Sequence, residues 1–190
     1  KYRGRGVASG FWINGSGAAC AIANVNFDGT VNLTIGSMDI GGLRPAAAQH
    51  VSEVLGIPVE DVSPQVGDTD TIGYTSMTGG SGAAFKTGWA SFEAAQDVKR
   101  QLLQRAAEVW ETSLDDIELA KGVFRHSSDP ELTMSFKELA SKLPDTGGPV
   151  VGRANLDPRG PGSAFATHVV DVEVDPDTGK VEILRYTAAQ

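Results

Sequence analysis

The chain has 190 residues, 41% of them hydrophobic and 21% charged, which is enough to bury a core and ordinary for a globular protein. The formal net charge of −8 excludes a general nucleic-acid binder, which would carry a basic face. The single cysteine, Cys20, excludes an internal disulfide and a cysteine-ligated cluster within this chain.

The first half of the chain predicts strands followed by a helix. Residues 6–12, 19–26 and 31–35 have strand patterns, and the Asp28-Gly29 pair predicts a hairpin with a type I′ turn. A helix should begin near Pro45 and end at Gly56, because proline suits a first helical turn and glycine a C-terminal cap. Residues 62–66 predict a short strand at a sheet edge, since Pro64 cannot donate to a ladder.

The second half is dominated by a long amphipathic helix predicted over residues 83–110. Phe85, Trp89 and Phe92 lead its apolar stripe, and we expect these aromatic side chains in the core. The shorter predicted elements are a capped first turn at 113–116, a hairpin at 117–125, a helix at 135–143 capped by Ser135 with Glu138, a strand at 150–154, and a hairpin with arms 166–174 and 181–187.

These elements predict an α+β fold, in which a mixed or antiparallel sheet packs on one long and two shorter helices. We expect one domain spanning residues 1–190. Because the sequence starts without methionine and stops on a predicted strand, we also expect it to be a fragment of a longer subunit.

Two segments share one design, in which glycines directly precede a helix. These are SMDIGGLRP, residues 37–45, and TSMTGGSGA, residues 75–83. The first N–H groups of a helix have no internal acceptor and carry partial positive charge, and glycine lets a ligand approach them. Glycine before a helix also serves turn geometry alone, so both readings stay open for each segment.

Neither segment matches a known phosphate motif, because TGGSGAAF lacks the P-loop lysine and no G-x-G-x-x-G follows a strand. The predicted ligand is therefore a phosphate or pyrophosphate held mainly by backbone groups. Ser81 could add a hydroxyl and Arg44 a charge.

The remaining polar candidates favour structural roles over catalysis. The histidines are far apart in sequence, Cys20 lies in a small apolar stretch that predicts a buried thiol, and the two aspartates of GDTDT lack further oxygen ligands nearby. Loop hydrogen bonding is the favoured role of that pair. The residues concerned are His50, His126, His168, Asp68 and Asp70.

The order of these segments resembles the molybdenum hydroxylase family, which includes xanthine dehydrogenase, aldehyde oxidase and the carbon monoxide dehydrogenase large subunit. The resemblance rests on GRGVASGFW, DGTVNLTIGSMDIGG, the run from AAAQHV through GDTDT to TGGSGAAF, and ATHVVDVEVDPDTGKVEILRYTAA. It covers essentially the whole chain in order.

The resemblance implies that the chain is part of a molybdopterin-binding region. In the family a pterin dithiolene holds molybdenum, in bacterial enzymes often as a cytosine dinucleotide. On this carry-over one group of residues approaches the pterin and metal end: Ile40, Gly41 and Gly42. A second group cradles the pterin and its phosphate: Gly79, Gly80, Ser81, Gly82 and Ala83.

Two positions depart from the family pattern. Gly42 stands where many members carry a glutamine that hydrogen-bonds to a metal ligand, so no metal contact is expected from this chain. Ala83 falls where relatives carry a serine, which removes one phosphate donor.

The resemblance also implies what other segments supply. The family's catalytic base is a glutamate expected beyond residue 190, so no catalytic residue is assigned here and the fragment alone should be inactive. Iron–sulfur and FAD centres should lie in partner domains or subunits, with no nucleic acid and no membrane span. The full-length protein would hydroxylate an aldehyde, an N-heterocycle or a similar small substrate with oxygen from water.

Two other hypotheses remain at this point. The chain could be a stand-alone phosphate- or anion-binding module that uses both glycine-rich helix starts, or a structural domain whose glycine turns bind nothing. We expect a cytoplasmic location, since the sequence shows no export signal.

Overall fold

The computed structural model describes residues 2–160 and 162–190. Its contacts divide the chain into two compact units, one made of residues 2–14 with 162–190 and the other of residues 15–160. The expectation of one domain over residues 1–190 stays a prediction, and the two units are described separately.

The elements of the described residues confirm the α+β class. The helices are α1 (Leu43–Leu55), α2 (Ala83–Trp110) and α3 (Phe136–Ser141). The strands are β1 (Tyr2–Asn14), β2 (Ala19–Val25), β3 (Val31–Ile35), β4 (Val62–Val66), β5 (Ile117–Ala120), β6 (Val123–His126), β7 (Thr133–Ser135), β8 (Val151–Leu156), β9 (Gly162–Val174) and β10 (Val181–Ala189).

The smaller unit is a three-stranded antiparallel sheet in the order β1-β9-β10. The β9–β10 pair is the predicted C-terminal hairpin, and its turn is closed by Asp175, whose carboxylate accepts the N–H groups of Asp177 and Thr178. Apolar side chains on these strands are exposed, including Phe11 and Phe165 at 67% each.

The larger unit is built on a four-stranded sheet in the order β4-β3-β2-β8, with α1 and α2 packed on it. The β3 and β4 strands are parallel, in register from Val31 opposite Val62 to Ile35 opposite Val66, and α1 makes the crossover between them. The β4 strand lies at the edge of the sheet, as predicted, so the missing N–H of Pro64 costs no hydrogen bond between central strands. A separate antiparallel sheet, β5-β6-β7, follows α2.

The α2 helix spans Ala83–Trp110, the predicted bounds, and its small side chains allow close packing on the sheet. Its buried stripe runs through Ala90, Ala94, Val98 and Leu102, all fully buried. Gly152 on β8 lies directly under this stripe, because a Cβ there would stand 2.6 Å from Val98 Cγ2.

Phe85, Trp89 and Phe92 are not part of this core, so the expectation that they are core residues is wrong. Trp110, at the end of α2, is partly buried against the core. Trp89 and Phe92 remain 45% and 39% exposed, and Phe85 packs edge-on against Trp89 with ring centroids 5.8 Å apart. They occupy the neighbouring helical face, while alanines and Val98 take the sheet-facing one.

The local signals of the sequence were mostly reliable. Gly56 caps α1 in the left-handed conformation, and Ser135 and Glu138 form the predicted capping box of α3. The β2–β3 hairpin forms as well, but its loop of residues 26–30 has a positive φ only at Gly29, so the expected type I′ turn is wrong. The short β7 strand was not predicted.

No helix among the described residues has the length and apolar character required to cross a membrane.

We predict that Gly152→Ala lowers the free energy of unfolding by about 1–3 kcal/mol, because a methyl group would press α2 away from β8. Chemical denaturation of the purified protein measures this. Gly10→Ala is the matched control, since nothing lies within 4 Å of a Cβ there, and it should change stability by less than about 0.5 kcal/mol. Equal effects of both substitutions would contradict the packing described.

Candidate functional site

Three glycine-containing segments lie at one edge of the larger sheet, the edge formed by the carboxyl ends of β3 and β4. Because β3 and β4 are parallel, residues 36–42 and residues 67–82 both leave the sheet at the carboxyl ends of these strands. Residues 15–18 lead into β2, which pairs antiparallel with β3, and so begin at the same edge. We call these three segments the glycine edge. The carboxyl ends of parallel strands are where ligands bind in many open sheets.

The first glycine turn, residues 38–42, is organised by Asp39. Its Oδ1 accepts the N–H groups of Gly41 (2.9 Å) and Leu43 (3.1 Å), and its Oδ2 accepts the Nε–H of Arg44 (2.7 Å). The hydrogen bond from Arg44, followed by that from Gly41, lowers the pKa of Asp39 to about 2. Arg44 is therefore ion-paired with Asp39, and the hypothesis that it adds a charge to an anion site stays a prediction.

The residues that follow Asp39 face open space. Ile40 is 76% exposed, and a Cβ on Gly41 or Gly42 would meet no atom within 4 Å. Their φ angles of +112° and +80° require glycine, and no side chain caps α1 at Gly42.

The second glycine turn, residues 79–82, gives each glycine a different role. Gly82 lies against the backbone of Gly15, so a Cβ there would collide with the Gly15 carbonyl group. Gly80 and Ser81 both adopt left-handed conformations, with φ of +61° and +57°. Gly79 has neither constraint, because its φ is ordinary and a Cβ would meet only the Met77 side chain, at 3.7 Å. The turn itself would therefore accept a side chain at position 79, and the open space beside Gly79 is not required by the fold.

The α2 helix begins at the end of this turn without compensation for its positive end. Ala83 is its first residue, and neither a side-chain cap nor an acidic residue occurs in the first turn. The N–H groups of Ala83, Ala84 and Phe85 have no acceptor within the helix. Together with exposed Ser81, these N–H groups are donors of the kind that can bind an anion at a helix start.

Buried polar contacts join segments that flank the two turns. The Thr87 hydroxyl donates to the Ser37 hydroxyl over 2.7 Å, which ties the segment before α1 to the second turn of α2. Cys20 is buried, and its thiol donates to the Gly73 carbonyl over 2.6 Å, so it has the structural role expected. The structure thus brings the predicted site residues of both turns to one sheet edge.

The other polar candidates do not form a catalytic or metal cluster. Asp68 Oδ1 accepts the N–H groups of Asp70 and Thr71, both at 2.9 Å, which is the loop role favoured by the sequence. His126 bonds to Thr112, and His168 to Tyr186. Within residues 2–160 and 162–190, no group of three or more His, Cys, Asp or Glu side chains could hold a metal ion.

Lys86 is a buried charged residue beside the second glycine turn that sequence reasoning missed. Only 1% of its surface is exposed, and its ammonium group donates to the Ser76 carbonyl (2.8 Å), the Ser76 hydroxyl (2.7 Å) and the Met77 carbonyl (2.7 Å). The helical spacing indicates its burial but not its partners, because position 86 lies three residues after Ala83 and four before Ala90 on the buried stripe.

A sequence model of the family described as "Molybdopterin cofactor-binding domain" matches residues 1–190. Among curated proteins, a putative xanthine dehydrogenase molybdenum-binding subunit of Escherichia coli K12 is 31% identical over 96% of the chain. The carbon monoxide dehydrogenase large chain of Afipia carboxidovorans is 30% identical over 84% of it. The chain spans 26% and 20% of the lengths of these two relatives.

Solved structures agree with the sequence matches. Reconstituted CO dehydrogenase from Oligotropha carboxidovorans superposes with a TM-score of 0.84 and 26% identity, over 98% of this chain and 26% of that one. Quinoline 2-oxidoreductase from Pseudomonas putida 86 shares the fold, with a TM-score of 0.77 and 24% identity over 98% of this chain and 26% of that one.

We predict that Asp39→Asn destabilises the protein above pH 4 and has a diminishing effect as the pH falls towards 2. The folded pKa of about 2 lies below the ordinary 3.8, so the carboxylate contributes stability above pH 4 that is lost on protonation near pH 2. Urea unfolding of both proteins between pH 2 and 7 measures the difference. Arg44→Gln should move this loss to higher pH. A difference that stays constant down to pH 2 would contradict the assignment.

Proposed function

The chain belongs to the molybdopterin cofactor-binding domain family, and on that premise we propose that the glycine edge holds the pterin and phosphate of molybdopterin. The observation that carries the proposal is the open space beside Gly79, Gly41 and Gly42, next to a helix start that has no cap. When bound, this cofactor would supply the redox-active molybdenum.

The donor chemistry of the edge fits this group. A phosphate needs N–H donors and positive potential, and the first turn of α2 offers both without a competing carboxylate. Asp39, the acidic group of the first glycine turn, is neutralised by Arg44 and by backbone N–H groups. The proposed contacts are those expected from the sequence, with Ile40, Gly41 and Gly42 towards the pterin and metal end, and with Gly79, Gly80, Ser81, Gly82 and Ala83 around the pterin and phosphate.

For the full-length protein we propose a molybdenum-dependent oxidoreductase that hydroxylates an aldehyde, an N-heterocycle or a similar small substrate. The names of the similar proteins support this, since they include a xanthine dehydrogenase subunit and a nicotine 6-hydroxylase large subunit of Paenarthrobacter nicotinovorans. Because the chain spans about a quarter of such subunits, the base glutamate, the iron–sulfur and the FAD centres would come from other segments or subunits. The chain alone would then be inactive.

Two finer points stay predictions. The cytosine dinucleotide form of the cofactor is implied by the resemblance of the sequence, and a cytoplasmic location is expected from the absence of an export signal in the sequence. The stand-alone anion-binding module is the weaker hypothesis, because the family match covers the whole chain.

We predict that Gly79→Ala lowers the molybdopterin content of the full-length enzyme about tenfold, because displacing the phosphate from one backbone donor would weaken a hydrogen bond to a charged group. The methyl group would occupy the space that the cofactor needs. Gly79 is a sharper probe than Gly80, where the φ of +61° would strain any other residue whether or not a ligand binds. Molybdenum and pterin are measured per purified subunit.

Gly6→Ala is the control, since it adds the same methyl group in open space on β1. Both variants should keep the unfolding temperature of the cofactor-free protein. If Gly79→Ala retains as much molybdopterin as the control, the cofactor does not lie on the glycine edge.

A further inference from the structure

Lys86 carries a buried charge that no carboxylate of the described residues pairs with. No ion pair involves Lys86 in the part of the chain that the structure describes, residues 2–160 and 162–190. Burial lowers the pKa of Lys86, which is the response of an ammonium group removed from water. An apolar side chain such as methionine would fill this position without that cost. The three hydrogen bonds of the ammonium group have an effect that an apolar side chain could not have, because they orient the groups that accept them.

Those hydrogen bonds fix the direction of two consecutive peptide groups. The carbonyl oxygens of Ser76 and Met77 both point at Lys86 Nζ, from 2.8 and 2.7 Å. In a trans peptide the N–H points opposite to the C=O, so the N–H groups of Met77 and Thr78 point away from Lys86. Neither N–H donates a hydrogen bond within the described residues. Backbone N–H groups that lack a protein acceptor can donate to an anion.

The same contacts lock this segment to the rest of the glycine edge. Ser76 donates its N–H (2.8 Å) and its hydroxyl (3.1 Å) to the Ala18 carbonyl, while that hydroxyl accepts from Lys86. Gly15 N–H donates to the Gly80 carbonyl over 2.6 Å. Residues 76–80 are thus held at both ends against residues 15–18, and Lys86 connects them to α2.

We propose that Lys86 is a positioning residue that orients the Met77 and Thr78 N–H groups as an additional donor pair for the anionic part of the cofactor. The inference rests on the proposed function and extends it, because these two residues lie before the glycine turn and were not among the expected contacts. The ammonium group also polarises both peptides through their carbonyl groups, which strengthens their N–H donors.

The test compares hydrogen–deuterium exchange of full-length enzyme with and without molybdopterin, the latter made in a host that cannot synthesise the cofactor. In the wild type, cofactor should protect the amides of Met77 and Thr78 as well as those of residues 79–84. In Lys86→Met, protection of the first pair should be lost, and cofactor should dissociate about tenfold faster. Lys99→Met, on the same helix, should behave as wild type.

Two further measurements separate positioning from a loss of folding. The cofactor-free Lys86→Met protein should unfold at a lower temperature, because the Ser76 and Met77 carbonyl groups lose their donor, but it should remain folded at the temperature of the exchange experiment. Ser76→Ala should change dissociation less than twofold, since both carbonyl acceptors remain.

Two results would overturn the role of Lys86. In the first, cofactor does not change the amide exchange of Met77 and Thr78 in the wild type. In the second, cofactor dissociates from Lys86→Met at the wild-type rate. Failure of the proposed function has a different signature, in which residues 79–84 also gain no protection from the cofactor.

Discussion

The structure of the glycine edge depends on the close approach of two backbone segments. Gly15 lies against Gly80 and Gly82, joined by a 2.6 Å hydrogen bond from its N–H to the Gly80 carbonyl, and a side chain on Gly82 would separate them. This contact sets where α2 begins relative to the sheet. Because α2 is also the main layer over β2 and β8, the packing of the larger unit and the placement of the site share one constraint.

The electrostatics of the edge explain how a chain with a net charge of −8 could hold an anion. The net negative charge of the whole chain repels an anion, but the groups at the glycine edge attract one and are held in place by the fold. An uncapped helix start, outward N–H groups and the buried ammonium of Lys86 act at short range, while Asp39 is neutralised by Arg44. Such backbone donors cost no reorganisation when a ligand arrives, since the fold has already oriented them.

The sequence predicted those features that short-range signals determine. The bounds of α2, the Gly56 cap and the Ser135 capping box each follow from a few adjacent residues, and all were confirmed. The aromatic residues of α2 were misplaced because a three-to-four-residue period fits two neighbouring faces, and only packing chooses between them. The role of Lys86 could not be predicted, since its acceptors lie on a loop whose path depends on residues 15–18. The pairing of β1 with β9 likewise joins segments about 160 residues apart.

The most direct test of the proposed cofactor site is an experimental structure of the full-length, cofactor-loaded enzyme. The quantities to measure are the distances from the cofactor phosphate to the backbone nitrogen atoms of residues 77–84. We expect several N–O distances of about 2.7–3.2 Å, with the pterin over Gly79 and towards Gly41. A structure in which polypeptide covers the glycine edge, and the cofactor contacts only other segments of the subunit, would contradict this expectation.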